Sequence, residues 1–161
     1  MSVVGIRVGT GVDAHRFGPG VPLVLGTVAI DHPAGLVGHS DGDVVAHALA
    51  DALLAAAGDV DIGDVFPSDE PEWRGVTGTR MLEVVHERLR AGGYRVVNAH
   101  VTAICERPRL APHRGEMSRR LTAILGAPVG VHATTTDGMG FTGRGEGAAC
   151  QAVALIEESE V

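Results

Sequence analysis

The chain has 161 residues, a formal net charge of −7 and thirteen basic residues, every one of them Arg. That length suits one domain, 1–161, built around one sizeable core. The arginines are scattered, so there is no basic stripe to track a nucleic-acid backbone or an anionic membrane surface, and neither is expected as a partner.

Taken in chain order, MSVVGIRVGTG carries no basic, apolar leader pattern, and no run reaches the ~18 apolar residues of a membrane span, so a soluble, unprocessed protein is expected. Residues 4 to 15 alternate as a strand, with Ile6, Val8 and Val12 expected on its core face and Arg7, Gly9, Gly11, Asp13 and His15 on the other. VPLVLG and TVAID read as a short hairpin turning at Gly26–Thr27, with Pro22 and Pro33 placing its outer ends at a sheet edge. Ser40 with Asp43 three residues on resembles an N-cap and its acidic partner. Val45, Leu49, Ala52, Leu53 and Ala56 then repeat at helical spacing, predicting a helix from about 41 to 57.

Residues 58–78 are rich in Gly, Pro and acids without a period, and read as the longest loop, a place where function often sits. Thr79 is placed to cap a second helix whose stripe is Leu82, Val85 and Leu89 and whose stop is Gly92. YRVVNAHVTAICE is a strand, PHRGEMSRRLTAILG a third helix, and VGVHATTT and AACQAVALIE two more strands around a Gly-rich loop. Cys105 and Cys150 form no metal-like or redox motif and read as small core residues in a reducing cytoplasm. Interleaved strands and helices with hairpins predict an α/β (α+β) sandwich, a mixed β-sheet with helices packed on one face.

Three side chains carry the first chemical signal. Asp13 and His15 are two apart on one strand face, so they point the same way. His47 lies on the first helix, on a face shared with Asp43 and Asp51, either of which is placed to orient it. One carboxylate and two imidazoles are the ligand set of a zinc ion that keeps a fourth position open, against the plainer reading of a surface His and a chance D-x-H pair. A second signal is GFTGRGEG, whose glycines let backbone N–H groups approach an anion and whose Arg144 can fork onto a phosphate. ATTTD before it offers the hydroxyls of Thr134, Thr135 and Thr136 and the hard carboxylate of Asp137, suited to magnesium. Soft and hard ligands beside a phosphate loop suggest diphosphate chemistry.

GVDAHRFG, GHSDGDVVAHALADALL, DIGDVFPSDEP, ERPRLAPH and ATTTDGMGFTGRGEG, in this order over nearly the whole chain, resemble the 2-C-methyl-D-erythritol 2,4-cyclodiphosphate synthase family. The resemblance implies a cytoplasmic lyase of one catalytic domain. It would cyclise 4-diphosphocytidyl-2-C-methyl-D-erythritol 2-phosphate with release of CMP, in the non-mevalonate route to isoprenoids. It implies a homotrimer with active sites at subunit interfaces. Asp13, His15 and His47 would hold Zn2+ or another divalent cation, and Asp137 would hold Mg2+ or Mn2+ at the diphosphate. His39 and Ser40 would belong to a loop over the erythritol phosphate, and Asp61 would contact the erythritol hydroxyls. The stretch from Cys105 through Arg109 and Leu110 to Ala111 would wall the cytosine, with Thr134 and Thr135 on the cytidyl diphosphate. Phe141 and Arg144, with Glu146, would line a threefold cavity able to take an isoprenoid diphosphate. Two positions depart from the family pattern: Asp137 stands where a Glu is familiar, and Ser68 where an Asp is familiar. Two other readings fit parts of the pattern, a non-catalytic isoprenoid-diphosphate carrier and a zinc hydrolase acting on nucleotides.

Overall fold

The computed structural model describes residues 5–159, so Val4, the first residue of the alternating stretch, lies outside the described residues. Strand β1 (Ile6–Pro19) is followed by the short β2 (Leu23–Leu25) and β3 (Val28–Ile30), then β4 (Ala34–Val37) and helix α1 (Val44–Ala57). Next come α2 (Ile62–Val65), α3 (Gly78–Ala91), β5 (Tyr94–Ile104), α4 (Arg114–Leu125), β6 (Val129–Thr134), α5 (Gly140–Gly143) and β7 (Gly147–Glu158). Five strands form a mixed sheet in the order β4-β1-β7-β5-β6, with β5 and β6 parallel and the other pairs antiparallel. The helices pack on one face of it: α1 lies on β1 and β7, α4 on β6, and α3 against both helices. The expected mixed α/β architecture is therefore present. Among the described residues no helix is long and apolar enough to cross a membrane.

The face assignment of β1 is the reverse of the one its pattern suggests. Ile6, Val8 and Val12 are 66%, 65% and 69% exposed, and Gly9 and Gly11 form the packed side instead. An added Cβ on Gly9 would stand 2.2 Å from the backbone O of Ala52 and the backbone N of Ala56. Two glycines so placed let a helix rest directly on a strand, a closer approach than any side chain permits. Alanines on α1 make the other half of the fit, and α1 is buried almost all round, from Val44 to Ala56.

The start of α1 also differs from the expected cap. Asp43, not Ser40, is the N-cap: its carboxylate accepts from the N–H groups of Val45 and Ala46. The same fully buried carboxylate accepts from Gly26 and Thr27 at 2.8 and 2.7 Å, in the two-residue turn of the β2–β3 hairpin. Both turn residues have positive φ, 56° and 65°, the backbone that tight hairpin turns need. One acid therefore ties the hairpin to the helix. That hairpin forms its own two-stranded sheet rather than an edge of the main one. Thr77, two residues before Thr79, caps α3 by accepting from the Arg80 N–H. Leu82, Val85 and Leu89 are buried on α3 as their spacing predicts, and Gly92 follows its last turn. The stretch 58–78 holds α2 and a single 3-10 turn at Pro71–Trp73, too short to leave a period in the sequence. Cys105 and Cys150 are buried free thiols, their pKa values pushed up by burial to about 11 and about 12.

Candidate metal centre and adjoining pockets

The glycine-mediated contact of β1 with α1 brings Asp13 and His15 from the strand against His47 from the helix. Asp13 Oδ2 stands 2.9 Å from His15 Nδ1 and 3.1 Å from His47 Nδ1. One ligand atom from each of the three residues lies within 4.8 Å of the others. Ligands ~2.0–2.1 Å from a tetrahedral zinc stand about 3.3 Å apart, so the spacing suits one shared ion. His15 Nδ1 is buried without a hydrogen-bond partner, because the short approach to Asp13 lacks hydrogen-bond alignment. A buried, unaligned imidazole nitrogen beside a carboxylate fits a lone pair directed at a cation.

Electrostatics support the charged carboxylate. Burial by itself raises the pKa of Asp13, but the imidazoles of His15 and His47 set against it outweigh that and hold it at about 2. Burial disfavours the His47 imidazolium, yet Asp13, followed by Asp43 and Asp41, keeps its pKa above the usual value. Asp13 therefore presents a full negative charge at neutral pH.

Neither the Asp43 nor the Asp51 carboxylate hydrogen-bonds the His47 ring; Asp43 takes only the His47 backbone N–H, on its carbonyl. Asp43 serves the cap and hairpin, and Asp51 accepts from the Ile62 N–H at 2.9 Å. The partner is Ser40, whose Oγ is 2.8 Å from His47 Nε2. Ser40 sits in the segment between β4 and α1, where the His39 carbonyl accepts from Gly75 and Asp41 takes the Gly78 N–H on its carboxylate. Gly38 in the same segment lies against the far edge of His15, where a Cβ would approach Cδ2 and Nε2 to 2.8 Å.

The triad opens into a pocket of about 290 Å³ that also holds His39 and Ser40. The rest of its lining is largely apolar: Ile62, Phe66, Trp73, Val76 and Met81, with Gly63 and Ser68. Phe66 and Trp73 meet edge to face with centroids 4.9 Å apart. A separate pocket of about 280 Å³ is lined by Cys105, Glu106, Arg107, Arg109, Leu110 and Ala111 on one side and Ala133, Thr134 and Thr135 on the other. The two pockets share no residue.

The YgbB family model matches residues 6–157. The chain belongs to the YgbB family. In line with that membership, it is 51% identical over 155 residues to the 2-C-methyl-D-erythritol 2,4-cyclodiphosphate synthase of Alkalilimnicola ehrlichii, covering 94% of each chain. It is 52% identical over 154 residues to the bifunctional enzyme IspD/IspF of Caulobacter vibrioides, covering 94% of this chain and 40% of that protein. The chain thus spans about two fifths of the length of that bifunctional relative. A solved structure of 2C-methyl-D-erythritol-2,4-cyclodiphosphate synthase in a CDP-bound form superposes with a TM-score of 0.86 at 35% identity, over 93% of this chain and 99% of that one.

Within this YgbB-family fold the remaining expected residues are dispersed. Asp61 is exposed at the start of α2, next to Ile62 and Gly63 but outside the lining of the triad pocket. Asp137 is exposed with φ of 53° and faces Thr135, Oδ1 to Oγ1 3.5 Å. The Thr136 hydroxyl is bonded to the Met139 carbonyl and to Thr142, so it shapes the loop. Phe141 and Glu146 line a third recess of about 230 Å³ with His15, while Arg144 pairs with Glu146 at 2.9 Å. The aromatic wall of the triad pocket escaped the sequence reading. Its one signal is a Phe and the single Trp in a loop otherwise rich in Gly, Pro and acids, where large aromatics need a place to bury.

Proposed function

We propose that this chain catalyses the metal-dependent cyclisation of 4-diphosphocytidyl-2-C-methyl-D-erythritol 2-phosphate to 2-C-methyl-D-erythritol 2,4-cyclodiphosphate. The reaction releases CMP and supplies isoprenoid precursors in the cytoplasm. The observation that carries this reading is the Asp13–His15–His47 cluster at the mouth of a pocket, in a chain half identical to a synthase of that name.

The substrate's 2-phosphate attacks the β-phosphorus of the cytidyl diphosphate. A new P–O bond closes the ring while the bond to the bridging oxygen breaks and leaves with CMP. With a second pKa near ~6 the attacking phosphate is already ionised, so no strong base is required of the protein. Its task is placement and charge. Asp13, His15 and His47 would hold a divalent cation, zinc being the ion that this ligand set suits, and the chemistry it would supply there is charge withdrawal from the β-phosphate for in-line attack. His39 and Ser40 receive the erythritol phosphate, Asp61 the hydroxyls, and the apolar wall of Phe66 and Trp73 takes the carbon side of the sugar. Cys105 to Ala111 hold the cytosine, and the hydroxyls of Thr134 and Thr135 donate to the departing α-phosphate. Asp137 would offer a hard oxygen to Mg2+ or Mn2+ there.

Two pockets with no residue in common suit a substrate whose two ends are held by different subunits. The exposed Ile6, Val8, Val12 and Val153 give copies of the chain an apolar face to meet on, consistent with a homotrimer of single-domain protomers. Phe141 and Arg144 then border the shared axis, where an isoprenoid diphosphate fits. Phosphorus NMR of the product from purified protein is the test. A cyclic diphosphate with CMP in equal amount supports the reading, and linear phosphates or no CMP refute it.

A further inference from the structure

His47 is gripped at both ring nitrogens. Nδ1 faces Asp13 Oδ2 at 3.1 Å, and Nε2 faces Ser40 Oγ at 2.8 Å. The ring is buried, with little room to turn. Ser40 Oγ also accepts a hydrogen bond from the Gly42 N–H at 3.2 Å. A hydroxyl has one donor and two acceptor sites, so with Gly42 satisfied it keeps one lone pair and its own proton.

For the neutral imidazole that inventory allows two arrangements. With the imidazole proton on Nδ1, that N–H donates to Asp13 and the Ser40 hydroxyl donates to Nε2. With Nδ1 coordinated to a cation, the imidazole proton must sit on Nε2 and donate to the remaining lone pair of Ser40 Oγ. The proton exchanges from one nitrogen to the other through water, with no net gain or loss. In the second arrangement the hydroxyl proton of Ser40 is released from His47 and is free to point into the pocket that Ser40 lines.

We propose that Ser40 is a positioning residue for the metal centre: it accepts the Nε2–H of the His47 tautomer whose Nδ1 binds the cation, and cation binding turns its hydroxyl proton toward an anionic oxygen of the substrate. This inference rests on the reading of Asp13, His15 and His47 as a divalent-cation site. It makes Ser40 a link between metal occupancy and phosphate binding, where the resemblance assigns it a phosphate contact alone. An alanine at this position would leave the Nε2–H of a metal-bound His47 buried without an acceptor. Partners of this kind are typically worth about 10–100-fold in metal affinity.

Cobalt(II) titration of the wild type, Ser40→Ala and Ser40→Thr, followed by absorbance, reads the effect without turnover. The expected result is an affinity about 10–100-fold weaker in the Ala variant and restored in the Thr variant, which keeps the hydroxyl. In nitrogen-15 spectra of zinc-loaded wild type, His47 should carry its proton on Nε2. Equal cobalt affinity in wild type and Ser40→Ala, or a proton on Nδ1 in the zinc-loaded protein, overturns the proposal. Failure of the wild type to take up cobalt at all refutes the cation reading itself, and this inference with it.

Discussion

The Cβ that Gly11 lacks would stand 2.1 Å from the backbone carbonyl oxygen of Ala48. Ala48 follows His47, and Gly11 is two residues before Asp13, so this close approach of β1 and α1 lies beside the candidate metal cluster. Gly11→Ala forces backbone against backbone, where no rotamer change gives relief. Overpacking of this kind costs about 1–3 kcal/mol. Urea unfolding should show that loss. Zinc uptake should fall with it, because α1 must shift away from the strand that carries Asp13 and His15. Wild-type zinc affinity in a destabilised Gly11→Ala protein would mean that the triad does not depend on this contact.

His47→Ala should remove turnover and lower bound zinc while the protein stays folded. The side chain faces the pocket, and the rest of α1 keeps its buried Leu49, Leu53 and Leu54. Metal analysis beside far-ultraviolet circular dichroism measures both. Unchanged zinc content would place the ion elsewhere.

Trp73 is the single tryptophan and lines the pocket that holds the triad. Ligand entering that pocket should change its emission, and the change should weaken when zinc is chelated, because the phosphate end loses its anchor. Trp73→Phe keeps a ring against Phe66 and should bind while remaining silent. Trp73→Ala loses an edge-to-face pair worth about 0.5–1.5 kcal/mol beyond the buried area. A fluorescence response undiminished by chelation would separate this wall from the metal centre.

Asp59 and Arg88 join the end of α1 to α3 through two hydrogen bonds at the surface. The guanidinium, with help from the Val60 N–H, holds the Asp59 carboxyl at about 2, below its ordinary value of 3.8. A carboxyl depressed on folding contributes stability above its unfolded pKa and loses it as pH falls toward the folded one, so the loss falls between about pH 4 and pH 2. The contribution is small because the pair is exposed, and salt should shrink it. Thermal melts of wild type and Asp59→Asn should converge as pH drops through that window. A constant difference down to pH 2 would refute the linkage.

Val8→Glu and Val12→Glu place charge on an apolar face that is exposed in the protomer. Light scattering should show the assembly reduced to folded monomers and CMP release lost with it. An unchanged assembly would put the subunit contact on another face.

Most of the architecture was legible in the residue pattern. Leu82, Val85 and Leu89 marked the buried side of α3, and the two-residue spacing of Asp13 and His15 put both on one side of β1. The pattern misled where two surfaces compete for the same strand. Alternating Ile6, Val8 and Val12 usually mark the core, but in the protomer the core side is the glycine side, because backbone contact with α1 needs no side chain. Chain order also hid the contacts of Ser40. Its position three before Asp43 imitates a cap, whereas the loop turns it back onto a histidine seven residues on. The pocket wall was unreadable for a similar reason: α2 and the 3-10 turn that carry Phe66 and Trp73 toward the triad are each about one turn long.

The buried carboxylate of Asp43 holds four amides at once, those of Gly26, Thr27, Val45 and Ala46. None of the four can open to solvent without loosening the acceptor shared by the others, so in deuterium they should exchange as one cooperative group rather than as a turn and a helix end that fray separately. The segment bearing His39 and Ser40 runs into this clamp. A rearrangement of His39 and Ser40 that leaves the four amides protected is then confined to the loop itself and is not passed on to α1 or the hairpin.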